Sequence, residues 1–243
     1  MNADGSEQKL LAAGGFNRAP AWSPDGRRIA FISNRTGSER VYVIAAQGGE
    51  SVMLTAEWPQ LLGFSWSPDG KRLVFAAKKS EAIPAPFPLP YTFRDQSVID
   101  IIDANGINQK TLVRDTAWED SEPAWSPDGR RIAFLSAGTI YAMNPDGSGR
   151  VQLTSEGAFS GPVWSPDGRR ITFVFSHDQK SQVFVMSADG SGQLQVTVSG
   201  EGNWPSWSPD GRRIVYASKR GDLWQLYVVN VDGSGDTQLS EGR

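Results

Sequence analysis

The chain alternates short apolar runs with tight polar turns, and the most regular turn is the pentapeptide Trp-Ser-Pro-Asp-Gly. Each copy is followed by two basic residues and an apolar run such as Ile29-Ala30-Phe31. The last four residues of the pentapeptide form the predicted turn. Ser, Pro and Gly stand at the first, second and fourth positions of that turn, where a type I turn prefers them. The pattern predicts a β-hairpin in which the tryptophan ends one strand and the apolar run forms the next. The copies begin at Trp22, Trp66, Trp125, Trp164 and Trp207.

A second turn, of the Asp-Gly type, recurs between later strands. The stretches Met143 to Ser148 and Met186 to Ser191 have this form, and each should join a third strand to a fourth. The motif tryptophans lie 44, 59, 39 and 43 residues apart, and periods of about 40 to 50 residues with several strands are typical of propeller blades. The sequence therefore predicts an all-β propeller of five four-stranded antiparallel blades. Six blades, or a fragment completed by oligomerisation, remain as alternatives.

We expect residues 1–243 to form a single domain, with an inserted arm at about 78–96 that accounts for the 59-residue interval. Prolines on alternate residues from Pro84 to Pro90 predict that the arm neither extends a strand ladder nor forms a helix. The first six residues match the Asp-Gly turns, so the chain is predicted to begin inside a blade with residues 7–12 as a surplus fourth strand. Such terminal strands favour homo-oligomerisation through their edges.

The composition of the chain argues against several classes of ligand and site. A net charge of −3 does not favour binding to nucleic acid or to an anionic membrane, and the absence of cysteine excludes disulfides and zinc–thiolate sites. No apolar run reaches the roughly 18 residues that cross a bilayer, and the first residues lack the features of a signal peptide. We expect a soluble chain without membrane insertion.

The pentapeptide hairpins and the Leu-Thr ending at Leu54-Thr55 and Leu153-Thr154 resemble the TolB-like, or WD40-like, family of β-propellers. The resemblance covers the chain outside residues 78–96. It implies a protein-binding propeller of an often periplasmic family whose TolB members join six blades to an N-terminal α/β domain. This sequence has five motifs and no such domain. Similar repeats occur in gating domains of prolyl-oligopeptidase-type peptidases and in some carbohydrate-processing propellers.

The connections between blades, residues 13–19, 56–62, 114–122, 155–161 and 199–204, each contain an aromatic ring, and acidic residues outnumber basic ones in them. Such a surface suits a peptide or cationic ligand, a sugar stacked on tryptophan, or hydrated Ca²⁺. Alternatively, the rings cover the ends of neighbouring blades. The candidate ligand-binding residues are Phe16, Arg18, Trp58, Trp118, Glu119, Asp120, Glu122, Phe159, Trp204 and, from an adjacent loop, His177.

No arrangement of residues predicts catalysis. His177 is the only histidine, and no Gly-x-Ser-x-Gly elbow is present to supply a nucleophile. The motif aspartates are expected to serve their turns. We predict a non-enzymatic module that binds a protein or peptide without a cofactor, with Ca²⁺ at the channel mouth as the alternative. Two other hypotheses remain: a gating or glycan-active propeller belonging to an enzyme, and an excised or engineered repeat array without a ligand.

Overall fold

A computed structural model describes residues 7–56, 58–84, 91–115, 120–155, 158–177, 180–197 and 199–240. In residues 79–84, 91–95, 115, 120, 158–160 and 177 it describes the backbone alone. The chain divides into two compact units, Met1–Thr116 and Ala117–Arg243.

The described residues form five four-stranded antiparallel sheets and contain no helix, which confirms the predicted all-β blades. Consequently, no helix in this part of the chain is long and apolar enough to cross a membrane. In the first unit, sheet 1 contains β1 (Asn17–Trp22), β2 (Arg28–Thr36), β3 (Ser38–Ala45) and β4 (Val52–Met53), and sheet 2 contains β5 (Gln60–Trp66), β6 (Arg72–Pro84), β7 (Tyr91–Asp103) and β8 (Lys110–Asp115).

The second unit holds three sheets, and the strands of every sheet lie in chain order from first to fourth. Sheet 3 contains β9 (Asp120–Trp125), β10 (Ile132–Ser136), β11 (Thr139–Met143) and β12 (Val151–Gln152); sheet 4 contains β13 (Ala158–Trp164), β14 (Arg170–His177), β15 (Lys180–Ser187) and β16 (Leu194–Gln195); sheet 5 contains β17 (Glu201–Trp207), β18 (Arg213–Lys219), β19 (Trp224–Asn230) and β20 (Thr237–Gln238).

Each pentapeptide closes its hairpin with the same hydrogen bonds. In sheet 3 the Gly129 amide donates to the Ser126 carbonyl at 2.9 Å, as the predicted type I turn requires. The Ser126 hydroxyl donates to Asp128 Oδ1 at 2.6 Å, and the same oxygen accepts the Arg130 amide at 3.0 Å. The Ser126 oxygen also accepts the Arg131 amide at 2.9 Å. Serine and aspartate are therefore required by the turn itself.

Within each unit, the motif tryptophan joins a sheet to the sheet before it. Trp66 Nε1 donates to the Ala21 carbonyl at 3.2 Å, and Trp164 Nε1 donates to the Ala124 carbonyl at 3.1 Å. Both rings are nearly buried, with 7% and 9% of their surface exposed. The indole thus combines apolar burial with one directed bond. Trp207 bonds to the Val163 carbonyl in the same way.

The second basic residue after the turn also serves this junction. Arg28 lies over the Trp66 ring at 5.0 Å and donates to the Gly70 carbonyl at 2.7 Å. Arg170 lies over the Trp207 ring at 5.7 Å. These arginines face the next sheet's tryptophan, an arrangement that favours packing over the binding of phosphate.

The Leu-Thr ending of a blade also has a structural role. Leu153 is buried in the core between sheets 3 and 4. The Thr154 hydroxyl oxygen accepts the Ile140 amide at 2.9 Å beyond the end of the short fourth strand. Thr55 and Thr197 accept the amides of Val41 and Val183 in the same way. Threonine therefore satisfies a third-strand donor that β12 and its counterparts are too short to reach.

The predicted arm differs from the observed structure. Strand pairing between β6 and β7 continues as far as Pro84 and Tyr91, so this part of the insertion extends the ladder, contrary to the prediction. Pro84 is tolerated because it is the last residue of its strand, where a missing amide donor costs little. Pro86, Pro88 and Pro90 lie outside the described residues.

Residues 7–12 form no strand, which makes the predicted surplus strand wrong. Leu11 and Ala12 instead pack against Phe31, Tyr42 and Ile44 of sheet 1. Burial of these two side chains holds the segment without a strand partner. The single domain and the oligomer through terminal strands remain predictions.

Replacing a buried motif tryptophan should be far more harmful than replacing the exposed one. Trp164→Phe removes the indole donor and part of a buried ring, and we expect a loss of about 2 kcal/mol. Trp22 is 60% exposed, so Trp22→Phe should cost less than about 0.5 kcal/mol. Urea unfolding of both variants measures the difference, and equal losses would show that the junction bond is unimportant.

The turns should also make the protein sensitive to acid. The motif serine's hydroxyl, followed by a backbone amide, holds the pKa of each motif aspartate below its ordinary value of 3.8. A lowered folded-state pKa stabilises the fold above about pH 3.8, and this contribution is lost as the pH falls through the folded-state values. The urea concentration at the midpoint of unfolding should therefore fall steeply below about pH 4.

The variant Asp128→Asn removes one of these titrations, so its urea midpoint should depend less on pH below about pH 4. Asp222→Asn, which changes an exposed aspartate outside the motif turns, is the matched control. Identical pH profiles for Asp128→Asn and the unaltered chain would contradict the prediction.

Candidate functional site

Every first strand contains a bulge near the same position. In sheet 4 the pairs Ser160–Val174 and Val163–Thr172 leave two residues, Gly161 and Pro162, opposite one residue of β14. Sheets 1, 3 and 5 have the same two-residue bulge, three residues before the motif tryptophan. The first bulge residue has a positive φ: Ala19 (51°), Glu122 (51°), Gly161 (60°) and Trp204 (51°).

Proline explains where the bulge falls. The second bulge residue is proline in these four sheets, and an unpaired bulge position does not need the amide donor that proline lacks. Sheet 2 has Phe64 at this point. Phe64 pairs with Phe75, and the irregularity falls between Leu61 and Gly63.

The bulges correct the predicted position of the candidate residues. The sequence predicts that Arg18, Asp120, Glu122, Phe159 and Trp204 lie in connections between blades. The structure places all five within first strands, because the bulge absorbs the proline and pairing resumes before it. His177 was expected in a loop and is the last residue of β14.

Three bulges carry a side chain in a conformation that favours glycine. For an L-residue the left-handed region costs about 1–2 kcal/mol, and such strain is concentrated at functional sites. Ala19 is small, whereas Trp204 presents a large ring that is 73% exposed. A strained, exposed tryptophan is difficult to explain by stability alone.

Trp204 forms an exposed pair with Trp224. The ring centroids lie 5.4 Å apart with the planes tilted by 51°. Trp224 is the first residue of β19 and is 44% exposed. The two rings form a surface that can contact an apolar or cationic group on two sides. We call Trp204 and Trp224 the tryptophan pair.

Glu122, at the bulge of sheet 3, contacts the bulge of the following sheet. Its carboxylate accepts a hydrogen bond from the Gly161 amide at the bulge of the following sheet. Burial raises the pKa of the Glu122 carboxyl above its ordinary value, and this hydrogen bond opposes the shift. The residue as a whole remains exposed. The bulge side chain of sheet 3 therefore reaches the bulge of sheet 4 within the same unit.

In the first unit, two candidate residues have structural roles. Arg18 donates to both Glu39 oxygens and to the Leu61 carbonyl, at 2.7 to 3.1 Å, which joins sheets 1 and 2. Burial would raise the pKa of Glu39, but the bonds from Arg18 and the Leu61 amide outweigh it and keep the pKa below its ordinary value. Trp58 packs edge-on against Phe75 at 6.5 Å in the core between sheets 1 and 2.

Phe16 differs from these two residues because its ring is 66% exposed. Its amide donates to Asn34 Oδ1 at 2.7 Å, which fixes the backbone just before β1.

Several predicted residues cannot be assigned contacts. Trp118 and Glu119 lie outside the described residues, and only the backbone of Asp120, Phe159 and His177 is described. The predicted connections between blades contain seven acidic residues. Among them, Glu122 and Glu201 alone have described side chains, so an acidic surface there remains a prediction. The other acids are Glu57, Asp115, Glu119, Asp120 and Glu156.

Among the residues that the structure describes, no group of three or more acidic, histidine or cysteine side chains could hold a metal ion. The predicted Ca²⁺ alternative therefore has no ligand set in this part of the chain.

Sequence reasoning missed Ala19, Gly161 and Trp224. The first two carry a signal that could have been found, because residue-Pro-residue-Trp recurs ahead of four motifs. Trp224 has no such pattern and joins the site only because strand pairing places it near Trp204.

Four-stranded antiparallel sheets, packed on one another through a repeated tryptophan, define the propeller class of repeat proteins. The chain belongs to the TolB beta propeller domain family, whose model matches residues 2–83 and 90–243.

Solved structures share the fold. TolB from Acinetobacter baumannii superposes with a TM-score of 0.75 and 24% identity, over 99% of this chain and 59% of that one. Pyrococcus horikoshii acylaminoacyl peptidase superposes with a TM-score of 0.67 and 17% identity, over 93% of this chain and 39% of that one.

Among curated proteins, the uncharacterized peptidase YuxL of Bacillus subtilis is 51% identical over 37 residues, which is 15% of this chain and 6% of that protein. The chain thus spans 59% or less of the length of each of these three relatives.

The bulge predicts opposite responses at two equivalent positions. Gly161→Ala forces a side chain into the left-handed region, where its Cβ would lie 3.2 Å from Glu122 Oε2, and we expect a loss of about 1–2 kcal/mol. Ala19→Gly relieves the same strain and should leave stability unchanged or raised by up to about 1 kcal/mol. Urea unfolding compares them, and a marked loss in Ala19→Gly would contradict the strain argument.

Proposed function

We propose that this chain is a non-enzymatic propeller that binds a protein partner through an extended peptide segment, and that the tryptophan pair is its main contact. Membership of the TolB beta propeller domain family supports a binding role in general. The observation that carries the specific proposal is Trp204, a large ring that is exposed in a strained backbone conformation.

The chemistry of the pair favours a proline-containing or cationic segment. Prolyl rings and guanidinium groups pack flat on indoles, and an extended proline-rich segment loses little conformational entropy when it binds. The rigid β17 and β19 hold the two rings, so little ordering is needed in the protein. Asp120, Glu122 and Phe159, which lie in the first strands of sheets 3 and 4 in the same unit, are proposed as additional contacts.

The experiment uses the chain with ¹⁵N-labelled tryptophan. A synthetic decapeptide of alternating proline and arginine should shift the indole N–H signals of Trp204 and Trp224 in a saturable manner. Trp204→Gly keeps a residue that tolerates positive φ and should weaken binding at least about tenfold, or about 1.4 kcal/mol. The matched control is Ile107→Ala, which removes another exposed apolar side chain and should leave affinity unchanged.

Maltoheptaose is titrated in parallel because a sugar also stacks on tryptophan. Shifts of Trp204 with the sugar but not with the peptide would overturn the protein-binding proposal. So would peptide binding that Trp204→Gly leaves intact.

A second candidate is the propeller of a peptidase, favoured by the 37-residue match to YuxL and the likeness to acylaminoacyl peptidase. In that role the propeller would admit peptides to a hydrolase active site. Mass spectrometry of the titrated decapeptide tests whether the chain itself cleaves the peptide. The non-enzymatic proposal expects an intact peptide, and new peptide termini would contradict it.

A further inference from the structure

Each unit contains a pocket at the edge of its sheets that carries the motif turns. In the first unit, the pocket between sheets 1 and 2 has a volume of about 400 Å³. In the second unit, the pocket between sheets 3 and 4 has a volume of about 480 Å³, and ligand pockets usually measure about 300–1,000 Å³. We call it the sheet 3–4 pocket. Its lining includes a cation, two carboxylates and an apolar wall: Arg131, Asp128, Asp189, Val151, Leu153 and Ala188.

The arginine of the sheet 3–4 pocket lacks the contacts that its counterpart makes. Arg28, the equivalent residue of sheet 1, lies over the Trp66 ring and donates to the Gly70 carbonyl at 2.7 Å. In the described part of the chain, Arg131 does not stack on Trp164. Its side chain is half-buried, and its Nε is buried without a hydrogen-bond partner among the described residues. A partly buried charge is costly unless it is paired, so an anionic group beside Arg131 would be stabilising.

The Arg131 guanidinium also lies away from the carboxylate of its own turn. In the other four motif turns, the serine hydroxyl lowers the pKa of the aspartate most, and the charge of the second basic residue adds to this shift. At Asp128 the serine hydroxyl again lowers the pKa most, but the charge that adds to it is that of Arg130. Because Arg131 lines the pocket, its guanidinium is directed there and not back onto the turn.

The two carboxylates of the pocket belong to turns of different sheets. Asp128 Oδ1 accepts the Ser126 hydroxyl and the Arg130 amide. Asp189 Oδ1 accepts the amide and the hydroxyl of Ser191. The described hydrogen bonds of both turns therefore use Oδ1, and Oδ2 can accept from a ligand.

These charges favour a ligand that carries both signs. Two carboxylates beside one guanidinium repel a simple anion, whereas a simple cation leaves Arg131 without a counter-charge. A zwitterion satisfies both requirements. Much of the remaining lining is apolar, because Leu153 is buried, Ala188 is half-buried and Val151 presents an exposed side chain. An aliphatic group therefore finds an apolar wall beside the charges.

We propose that the sheet 3–4 pocket binds a free α-amino acid with an aliphatic side chain. The ligand carboxylate accepts hydrogen bonds from the terminal nitrogen atoms of Arg131, and its ammonium group donates to Asp128 and Asp189. The aliphatic side chain packs on Val151 and Leu153. Neither residue of the tryptophan pair lines this pocket, so the site is independent of the proposed peptide-binding function.

The pocket of the first unit provides a comparison within the same chain. Its arginine, Arg28, is already bonded to Gly70, and Ala104 is the apolar residue in its lining. We therefore expect it to bind an aliphatic amino acid at least about tenfold more weakly than the sheet 3–4 pocket.

The test titrates L-leucine into the chain labelled with ¹⁵N-tryptophan. Trp164 lines the sheet 3–4 pocket, so its indole N–H signal should shift in a saturable manner. The Trp66 signal, from the equivalent junction of the first unit, should stay unchanged at the same concentrations. N-acetyl-L-leucine lacks the ammonium charge and L-leucinamide lacks the carboxylate, so each should bind at least about tenfold more weakly.

Two pairs of variants test the charged contacts. Arg131→Gln removes the guanidinium and should weaken L-leucine binding at least about tenfold. Its matched control, Arg130→Gln, changes the neighbouring exposed arginine outside the pocket lining and should leave affinity unchanged. Asp189→Asn keeps the acceptor oxygen of its turn but removes an exposed charge, and should weaken binding about threefold. Asp232→Asn, in the same kind of turn in sheet 5, should have no effect.

The absence of a saturable Trp164 shift would overturn the proposal, and so would an unchanged affinity of Arg131→Gln for L-leucine. Equal affinities for L-leucine and N-acetyl-L-leucine would show that the pocket takes simple anions, which contradicts the assignment of a zwitterion. An equal shift of Trp66 would show that binding does not depend on the state of the arginine. None of these outcomes bears on the tryptophan pair, whose peptide binding is measured at Trp204 and Trp224.

Discussion

Within each unit, the indole N–H of a motif tryptophan, donated to a carbonyl of the preceding sheet, is the interaction on which the packing of the sheets depends. A four-stranded sheet with apolar residues on both sides cannot be stable alone, so each sheet must be held against another in one register. Apolar packing supplies most of the free energy but little direction. The bond from Trp164 to Ala124 adds the direction, because it forms only when the two first strands are aligned.

The hairpin turn keeps that tryptophan in place. The Ser126 hydroxyl and the Asp128 carboxylate satisfy three backbone or side-chain donors within a few residues, so the strand carrying the tryptophan ends at a fixed point. The same hydrogen bonds explain why the motif aspartates are ionised and structural.

The bulge of the first strand combines structure with recognition. Gly161 adopts the left-handed backbone conformation without strain. Trp204 adopts the same conformation with backbone strain, and its ring is exposed. Equivalent bulge positions therefore differ in their side chains, whereas their backbone conformation is the same. This is how a repeat can vary its binding surface without changing the packing between sheets.

Much of the fold was determined by the sequence alone. The turn residues and the period of the motif predicted five sheets and their hairpins correctly, because these features depend on interactions between residues near each other in the chain. The tertiary structure decided what depends on distant pairing: the bulges that keep Arg18 and Trp204 within strands, the approach of Trp224 to Trp204, and the packing of Leu11 on sheet 1. In the local sequence a proline indicates the end of a strand. Only the pairing with the neighbouring strand shows that the proline lies in a bulge and that the strand continues on both sides of it. Whether a ring such as Trp22 is covered likewise depends on which sheet lies against it, and local sequence does not contain that information.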